Sequence, residues 1–410
     1  MFFATFRLTK GLFFLNLFFT QNTHPIFHKD IPMKQMEKER EMIREAAAKT
    51  ARKVVQPRAT EIDATGEFPW DLVTAFGNQG FLSIIIPEQY GGTNGDIIAF
   101  CSAIEEIAKV CGSSSLLILA QGVGTLPILI AGNPSQQERY FIPICEKNHL
   151  IAFALTESES GWDATSIRTK AERQGTNYIL NGRKCFITNG SVAHLYVVFA
   201  ATDPRGGTKG ISAFVVEQET PGLSFGQKEE KIGMRGSMMT DVIFENCRVP
   251  QENRLGEEGE GWMIAMNTLH TSRVAMGAQA VGIAKGALDF TIRYATERIQ
   301  FGKTIASFQG IQFMIADMAT QVEAARALVY QTAADMATRP EELEKLSSIT
   351  KSFASDVAMR VTTDAVQILG GYGYMKDYPI ERMMRDAKVT QVYDGSNQAH
   401  RLMIAQQLIK

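Results

Sequence analysis

Apolar residues recur three and four positions apart through the first third of the chain and again through the last third. Between them lies a stretch of short β-branched and aromatic runs. In "DIIAFCSAIEEIAKVC", Ile97, Phe100, Ile104, Ile107 and Cys111 fall on one helical face. "SLLILAQGVGTLPILIAG" is apolar almost throughout, which predicts a helix buried on all sides. "PEQYGGTNGD" carries turn chemistry between helices. From about residue 152 the texture changes. "KAERQGTNYILNGRKCFITNG", "HLYVVFAATD", "GISAFVVEQE" and "DVIFENCRVP" are bounded by Gly, Asn, Asp or Pro, and predict antiparallel strands of a small barrel or sandwich. Helical periods return over 262–297, 307–334, 341–370 and 380–390. The order is helices, strands, helices, with no βαβ alternation, so the fold class is α+β. The predicted divisions are 33–151 (N-terminal α domain), 152–258 (middle β domain) and 259–410 (C-terminal α-helical domain).

Residues 1–32 stand apart. Arg7 and Lys10 precede an apolar run from Gly11 to Phe19 that imitates a signal peptide. The run is short, no A-x-A site follows it, and it cannot span a bilayer. Met33 opens "MKQMEKEREMIREAAAK", a better domain start, so 1–32 reads as a leader or an over-long start outside the fold.

Composition narrows the classes. The 410 residues are 45% hydrophobic and 21% charged, with a formal net charge of −2, a globular balance with no long basic run. Neither nucleic acid nor stable membrane insertion is implied. Five widely spaced cysteines without CxxC predict reduced thiols in a cytoplasmic protein. HExxH is absent and the six histidines are scattered, so no metal site is expected. Familiar nucleotide signatures fail too. No GxGxxG follows a strand, GxSxG is missing, and "GKT" at 302–304 has Glu297 where a P-loop needs glycine.

Four segments are over-specified for a plain helical scaffold: "FALTESESGWD" (153–163), "KCFITNGS" (184–191), "ERIQFGKTIASFQGIQ" (297–312), and "QILGGYGYMKDYPIERMMRDAK" with "QVYDGSNQAHR" (367–401). Together, in this order and spacing, they resemble the acyl-CoA dehydrogenase family from about Met33 to Lys410. The resemblance implies an N-terminal helical domain, a middle β-barrel or sandwich domain and a C-terminal four-helix bundle. It also implies FAD, an acyl-CoA substrate, electron-transfer flavoprotein as acceptor, and a homotetramer built as a dimer of dimers.

The resemblance assigns roles residue by residue. Phe153, Leu155, Thr156 and Trp162 at the entry to the strands, with Phe186 and Thr188, would surround the flavin; core packing is the other reading of Phe186. Arg298 and Gln309 would reach the FAD of a neighbouring subunit, the arginine through its bidentate fork. Gln367, Gly370 and Gly371 would line the adenosine side, the glycines doubling as a helix C-cap. Arg273 in "LHTSRVAMG" would contact CoA, with a buried helix-pairing arginine as the rival reading, and His270 and Gly395 complete that side. In "QVYDGSNQAH", Asp394 would be the base that removes the α-proton of the thioester, and Ser396 and Asn397 would donate to the FAD diphosphate. An Asx-type turn at a helix start is the alternative for Asp394.

Departures from the family pattern bear on the substrate. Most relatives have Glu where Asp394 stands; the shorter side chain withdraws its oxygens by ~1.5 Å. Glu159 and Trp162 replace the Gly and Ser that are usual there, and His270 replaces a frequent acid. Leu116 and Leu119 leave no carboxylate at the floor of the acyl pocket. The pattern looks like the cyclohexane-1-carboxyl-CoA type of dehydrogenase, in which a ring carbon at Cα would hold its hydrogen nearer a shortened acid. A short- or branched-chain acyl-CoA dehydrogenase, a nitroalkane-oxidase-like flavoenzyme, an acyl-CoA oxidase and a non-catalytic flavin- or CoA-binding protein are the competing readings.

Overall fold

The computed structural model describes residues 33–161, 163 and 165–409. The segment 1–32 and Trp162, both interpreted above, lie outside the described residues.

The N-terminal region holds α1 (Met33–Thr50), a π-helical turn (Ala51–Val55), α2 (Gln56–Thr65), α3 (Trp70–Asn78), α4 (Ile97–Ala108), α5 (Gly112–Ala131) and α6 (Pro134–Lys147). The helix starts follow local chemistry. Asp96 accepts from the Ala99 N–H to cap α4, and Asn133 with Gln136 forms a capping box on α6. Helix α5 is long and apolar enough to cross a membrane by composition, but most of it is buried inside the protein, as its uniform apolarity predicted. Helix α4 is buried all round, Glu105 included. Glu105 accepts from Arg326 Nε (2.9 Å) and Tyr330 Oη (2.6 Å), which explains an acid in the core.

The middle region is one eight-stranded sheet: β1 (Ile151–Ala154), β2 (Lys170–Gln174), β3 (Asn177–Thr188), β4 (Leu195–Ala201), β5 (Ile211–Glu217), β6 (Leu223–Phe225), β7 (Met239–Pro250) and β8 (Arg254–Leu255). The order is β6-β7-β3-β2-β4-β5-β8, with β1 pairing off this path to β4. The pairing is not wholly antiparallel. Strand β1 runs parallel to β4, and β2 meets β4 in parallel at Lys170–Ala201. Four residues of β1 carry too little pattern to reveal a partner more than forty positions on.

The C-terminal region contains α7 (Gly261–Glu297), a hairpin β9 (Ile299–Gln300) and β10 (Lys303–Thr304), then α8 (Gln309–Asp335), α9 (Leu343–Leu369), α10 (Ile380–Thr390) and α11 (Asn397–Leu408). Helix α11 is an element the hydrophobic period had not separated from the polar box before it. Ser396 starts it, accepting from the Ala399 N–H. The 37-residue α7 is the central beam. Its Gly282 and Gly286 lie so close to α4 that an added Cβ would stand 2.4 Å from the Glu105 carbonyl oxygen and 2.0 Å from that of Lys109. This order of helices, sheet and helices is the α+β architecture the pattern predicted. The five cysteines are all unpaired.

Candidate active site

Helix α10 ends at Thr390, and the chain turns back through residues 391–396 before α11. The turn uses two successive left-handed residues, Asp394 (φ +55°) and Gly395 (φ +92°). Glycine takes this conformation freely and aspartate better than most residues. The Asn397 N–H closes the turn on the Gln391 carbonyl (3.0 Å).

This geometry sets the Asp394 carboxylate against α7. Ser272 Oγ donates to its Oδ2 at 2.8 Å. Burial pushes the Asp394 carboxyl up from its ordinary value, while the Arg273 guanidinium, the Ser272 hydroxyl and the Lys351 ammonium pull the other way. Arg273 is 4% exposed, and its Nε and Nη1 have no protein partner. A buried arginine with two unused donors beside a carboxylate is poised for an anionic or carbonyl ligand. Burial, with Arg273 beside it, pushes the His270 imidazole down to about 3. Gly395 lies below them, where an added Cβ would meet the His400 ring at 3.2 Å. His400 is fully buried with neither ring nitrogen partnered, and burial together with Arg273 and Lys351 pushes it to about 3 as well.

The two proposed phosphate donors stand differently. Ser396 Oγ accepts from the Ala399 N–H to cap α11, and its own O–H remains available to donate. Asn397 is 2% exposed, donates to Ser355 Oγ (2.8 Å) and Asp356 Oδ1 (2.8 Å), and accepts from Lys351 Nζ (3.1 Å). Its amide is spent inside the protein, which corrects the expectation that it reaches a diphosphate.

A second group forms at the sheet edge. The Cys185 N–H donates to the Thr156 carbonyl (2.8 Å), setting 153–156 beside 184–188. Phe153 is half-buried against Phe199, Leu155 is buried, and Thr156 and Thr188 are half-buried. Lys184 is buried between the Leu155 carbonyl (3.0 Å) and Glu157 (2.7 Å), anchoring the bulge. Phe186 sits on that bulge with φ +58° and is 60% exposed, which overturns the core-packing reading. An exposed ring in a strained conformation costs free energy that a flat apolar ligand covering it would offset. These residues therefore fit a flavin. Glu159 pairs with Arg168 at the rim.

The third group is at the far end of α7. Arg298 caps that helix and stacks 5.0 Å over the Tyr372 ring. Phe290, Arg293, Tyr294, Tyr372 and Tyr378 line the same cleft, about 370 Å³. Gly370 takes φ +62°, ψ −136°, a conformation almost restricted to glycine, and Gly371 and Gln367 are exposed beside it. Gln309 is exposed at the first residue of α8. Among the described residues this group shares no hydrogen bond with the Asp394 turn.

Ser272, Lys351 and His400 were not among the sequence candidates. Ser272 stands next to Arg273 and His400 closes the quoted decapeptide, but only the fold aims them at Asp394. Leu116 and Leu119, expected at an acyl pocket, are buried on α5.

Comparisons with known proteins bear on this arrangement. Three family models match in succession: "Acyl-CoA dehydrogenase, N-terminal domain" over residues 37–148, "middle domain" over 152–247 and "C-terminal domain" over 259–409. An acyl-CoA dehydrogenase of Bacillus subtilis is 48% identical over 90% of this chain and 98% of its own. From Geobacter metallireducens, a cyclohex-1-ene-1-carbonyl-CoA dehydrogenase is 47% identical (92% of this chain, all of its own), and a cyclohexane-1-carbonyl-CoA dehydrogenase 44% (90% and 97%). Butyryl-CoA dehydrogenase from Megasphaera elsdenii superposes with a TM-score of 0.88 at 39% identity, covering 94% of this chain and all of that one. A chain solved in work on the electron transferring flavoprotein of Acidaminococcus fermentans reaches 0.89 at 45% identity, with the same coverage.

Proposed function

Because the chain belongs to the acyl-CoA dehydrogenase family, FAD-dependent oxidoreductases acting on CH–CH groups, we propose that Asp394 is its base and that its acyl group is cyclic, cyclohexane-1-carboxyl-CoA being converted to cyclohex-1-ene-1-carboxyl-CoA. The observation that carries the reading is the half-buried Asp394, its carboxylate oriented by Ser272 and set beside Arg273, whose buried Nε and Nη1 have no protein partner. Asp394 takes the α-proton. FAD, when bound, supplies the acceptor for the β-hydride.

A free carboxylate is too weak a base for a thioester α-C–H near neutral pH, and burial narrows that gap by raising its pKa. Phe153, Leu155, Thr156, Phe186 and Thr188 would hold the flavin ring. Arg298, Gln309, Gln367, Gly370 and Gly371 would hold the rest of FAD across a subunit contact. Arg273, His270 and Gly395 would face the acyl-CoA. Two relatives named for cyclohexene- and cyclohexane-carbonyl-CoA support the cyclic acyl group, as does the short base. A ~1 Å misplacement of a catalytic group can cost a hundredfold, so a shortened base calls for a substrate whose α-carbon sits closer. The likeness to a chain solved in work on an electron transferring flavoprotein supports such a protein as the acceptor. Ile299, Phe301 and Phe313, exposed on and beside the β9–β10 hairpin, suit burial in a homotetramer.

Anaerobic titration of the yellow protein tests the assignment. Cyclohexane-1-carboxyl-CoA should bleach the flavin faster than butyryl- or octanoyl-CoA. The reverse order removes the cyclic assignment in favour of a short- or straight-chain substrate. Asp394→Asn should retain flavin and lose bleaching with every acyl-CoA; full turnover would remove the base.

A further inference from the structure

A second ionisable group lies under the base turn. Lys351 is 1% exposed on α9, on a face that also buries Ser347, Ser348, Ser352 and Ser355. An ammonium taken out of water normally recruits a carboxylate in direct contact. Lys351 instead donates to two neutral acceptors of the turn, the Gly395 carbonyl (2.7 Å) and Asn397 Oδ1 (3.1 Å). The turn needs that donor, because Gly395 directs its carbonyl into the helical core, where an unpaired acceptor is costly. Asp356, one turn further along α9, clasps both flanks of the turn. It accepts from Gln391 (2.6 Å) ahead of it and from Asn397 (2.8 Å) and Arg401 (2.6 Å) behind it. Helix α9 is therefore a cradle, and Lys351 supplies its hydrogen bond to the Gly395 carbonyl.

We propose that Lys351 is a positioning residue for catalysis: its ammonium, held by the Gly395 carbonyl and Asn397, fixes the turn that aims Asp394. The inference rests on the reading of Asp394 as base. The charged and titratable groups around the pair are Arg273 and His270 on α7, Asp356 and Glu344 on α9, Tyr393 in the turn and His400 on α11. Of these, Arg273 opposes the lysine's charge and Asp356 supports it. Burial pushes Lys351 down to about 7, against the pull of Asp394. Two limbs follow in the pH profile. On the acid side activity falls as Asp394 takes up its proton, at a pH raised by burial from the ordinary carboxylate range. On the alkaline side Lys351 loses its charge, and the Gly395 carbonyl keeps only a weak amine donor. Deprotonating Lys351 also makes Asp394 more basic, but the loosened aim outweighs that gain, since a ~1 Å displacement costs about a hundredfold.

The test is the pH dependence of single-turnover flavin bleaching by saturating acyl-CoA, in FAD-loaded full-length protein. The wild type should lose rate on the alkaline side as Lys351 gives up its proton. Lys351→Met should retain flavin, shift the acid limb up by about one pH unit, and lower kcat by about tenfold or more with a smaller change in KM. Lys351→Arg should keep the acid limb and move the alkaline limb upward, because guanidinium does not lose its proton in this range. A flavin-loaded Lys351→Met with both limbs and kcat unchanged overturns the proposal but leaves Asp394 as base. A wild type that no acyl-CoA bleaches overturns both.

Discussion

Asp394 and its neighbours form a crowded set of ionisable groups, and their pH behaviour separates folding from catalysis. His400 is the clearest case. Its folded-state pKa lies near 3 and its ordinary value is 6.5, because burial and the nearby Arg273 and Lys351 oppose a second positive charge. Between those values the unfolded chain binds a proton that the folded chain refuses, so stability falls as pH drops below 6.5. The limiting slope is about 1.4 kcal/mol per pH unit for one such group. His270 contributes in the same direction. Replacing His400 with Gln, which cannot protonate, should flatten the pH dependence of thermal unfolding between pH 6.5 and about pH 4 by up to that slope. A variant with the wild-type slope would place the acid sensitivity elsewhere. Both histidines were visible in the sequence. Their neutrality was not, because it depends first on burial in the folded core, with Arg273 beside both and Lys351 of α9 beside His400.

At the scale of elements, the close passage of α7 across α4 fixes the floor on which Ser272 and Arg273 stand. Gly282 permits it. An alanine Cβ there would lie 2.4 Å from the Glu105 carbonyl oxygen and 2.7 Å from Ala108 Cβ, so α4 would have to shift. Gly282→Ala should therefore destabilise the protein by about 1–3 kcal/mol. Gly310→Ala is the internal control. It lies exposed near the start of α8 with nothing within 4 Å of the added Cβ, and should stabilise by about 0.5–1 kcal/mol. Denaturant midpoints of the two variants should move in opposite directions. Helix periodicity located both helices from the sequence, and neither glycine's role could be read there, since a close approach is a property of two segments.

The whole molecule is held at a junction where three regions meet. Arg385 on α10 donates to Asp63 on α2 (2.7 and 3.0 Å), to Glu381 on its own helix (2.7 Å) and to the Ile232 carbonyl of the loop leaving the sheet (2.8 Å). The adjacent Asp386 accepts from the Met234 N–H (2.5 Å) and is pushed up to about 6 by burial. Arg385→Leu leaves the partly exposed Asp63 and Glu381 without this partner and should cost about 1.5–3 kcal/mol, lowering Tm and broadening the transition if the helical and sheet regions then melt apart. A calorimetric trace matching the wild type would show that the junction is redundant. The sequence by itself determined the helix–sheet–helix order, the buried α5 and the polar box that carries Asp394, because hydrophobic period and turn chemistry are local and survive in one dimension. Tertiary structure decided which charges face Asp394, that Phe186 stands exposed while Lys184 is buried, and that Asn397 is an internal brace. Each of those outcomes depends on contacts between residues tens to hundreds of positions apart, and the free energy of a buried polar group is set by the partner that reaches it.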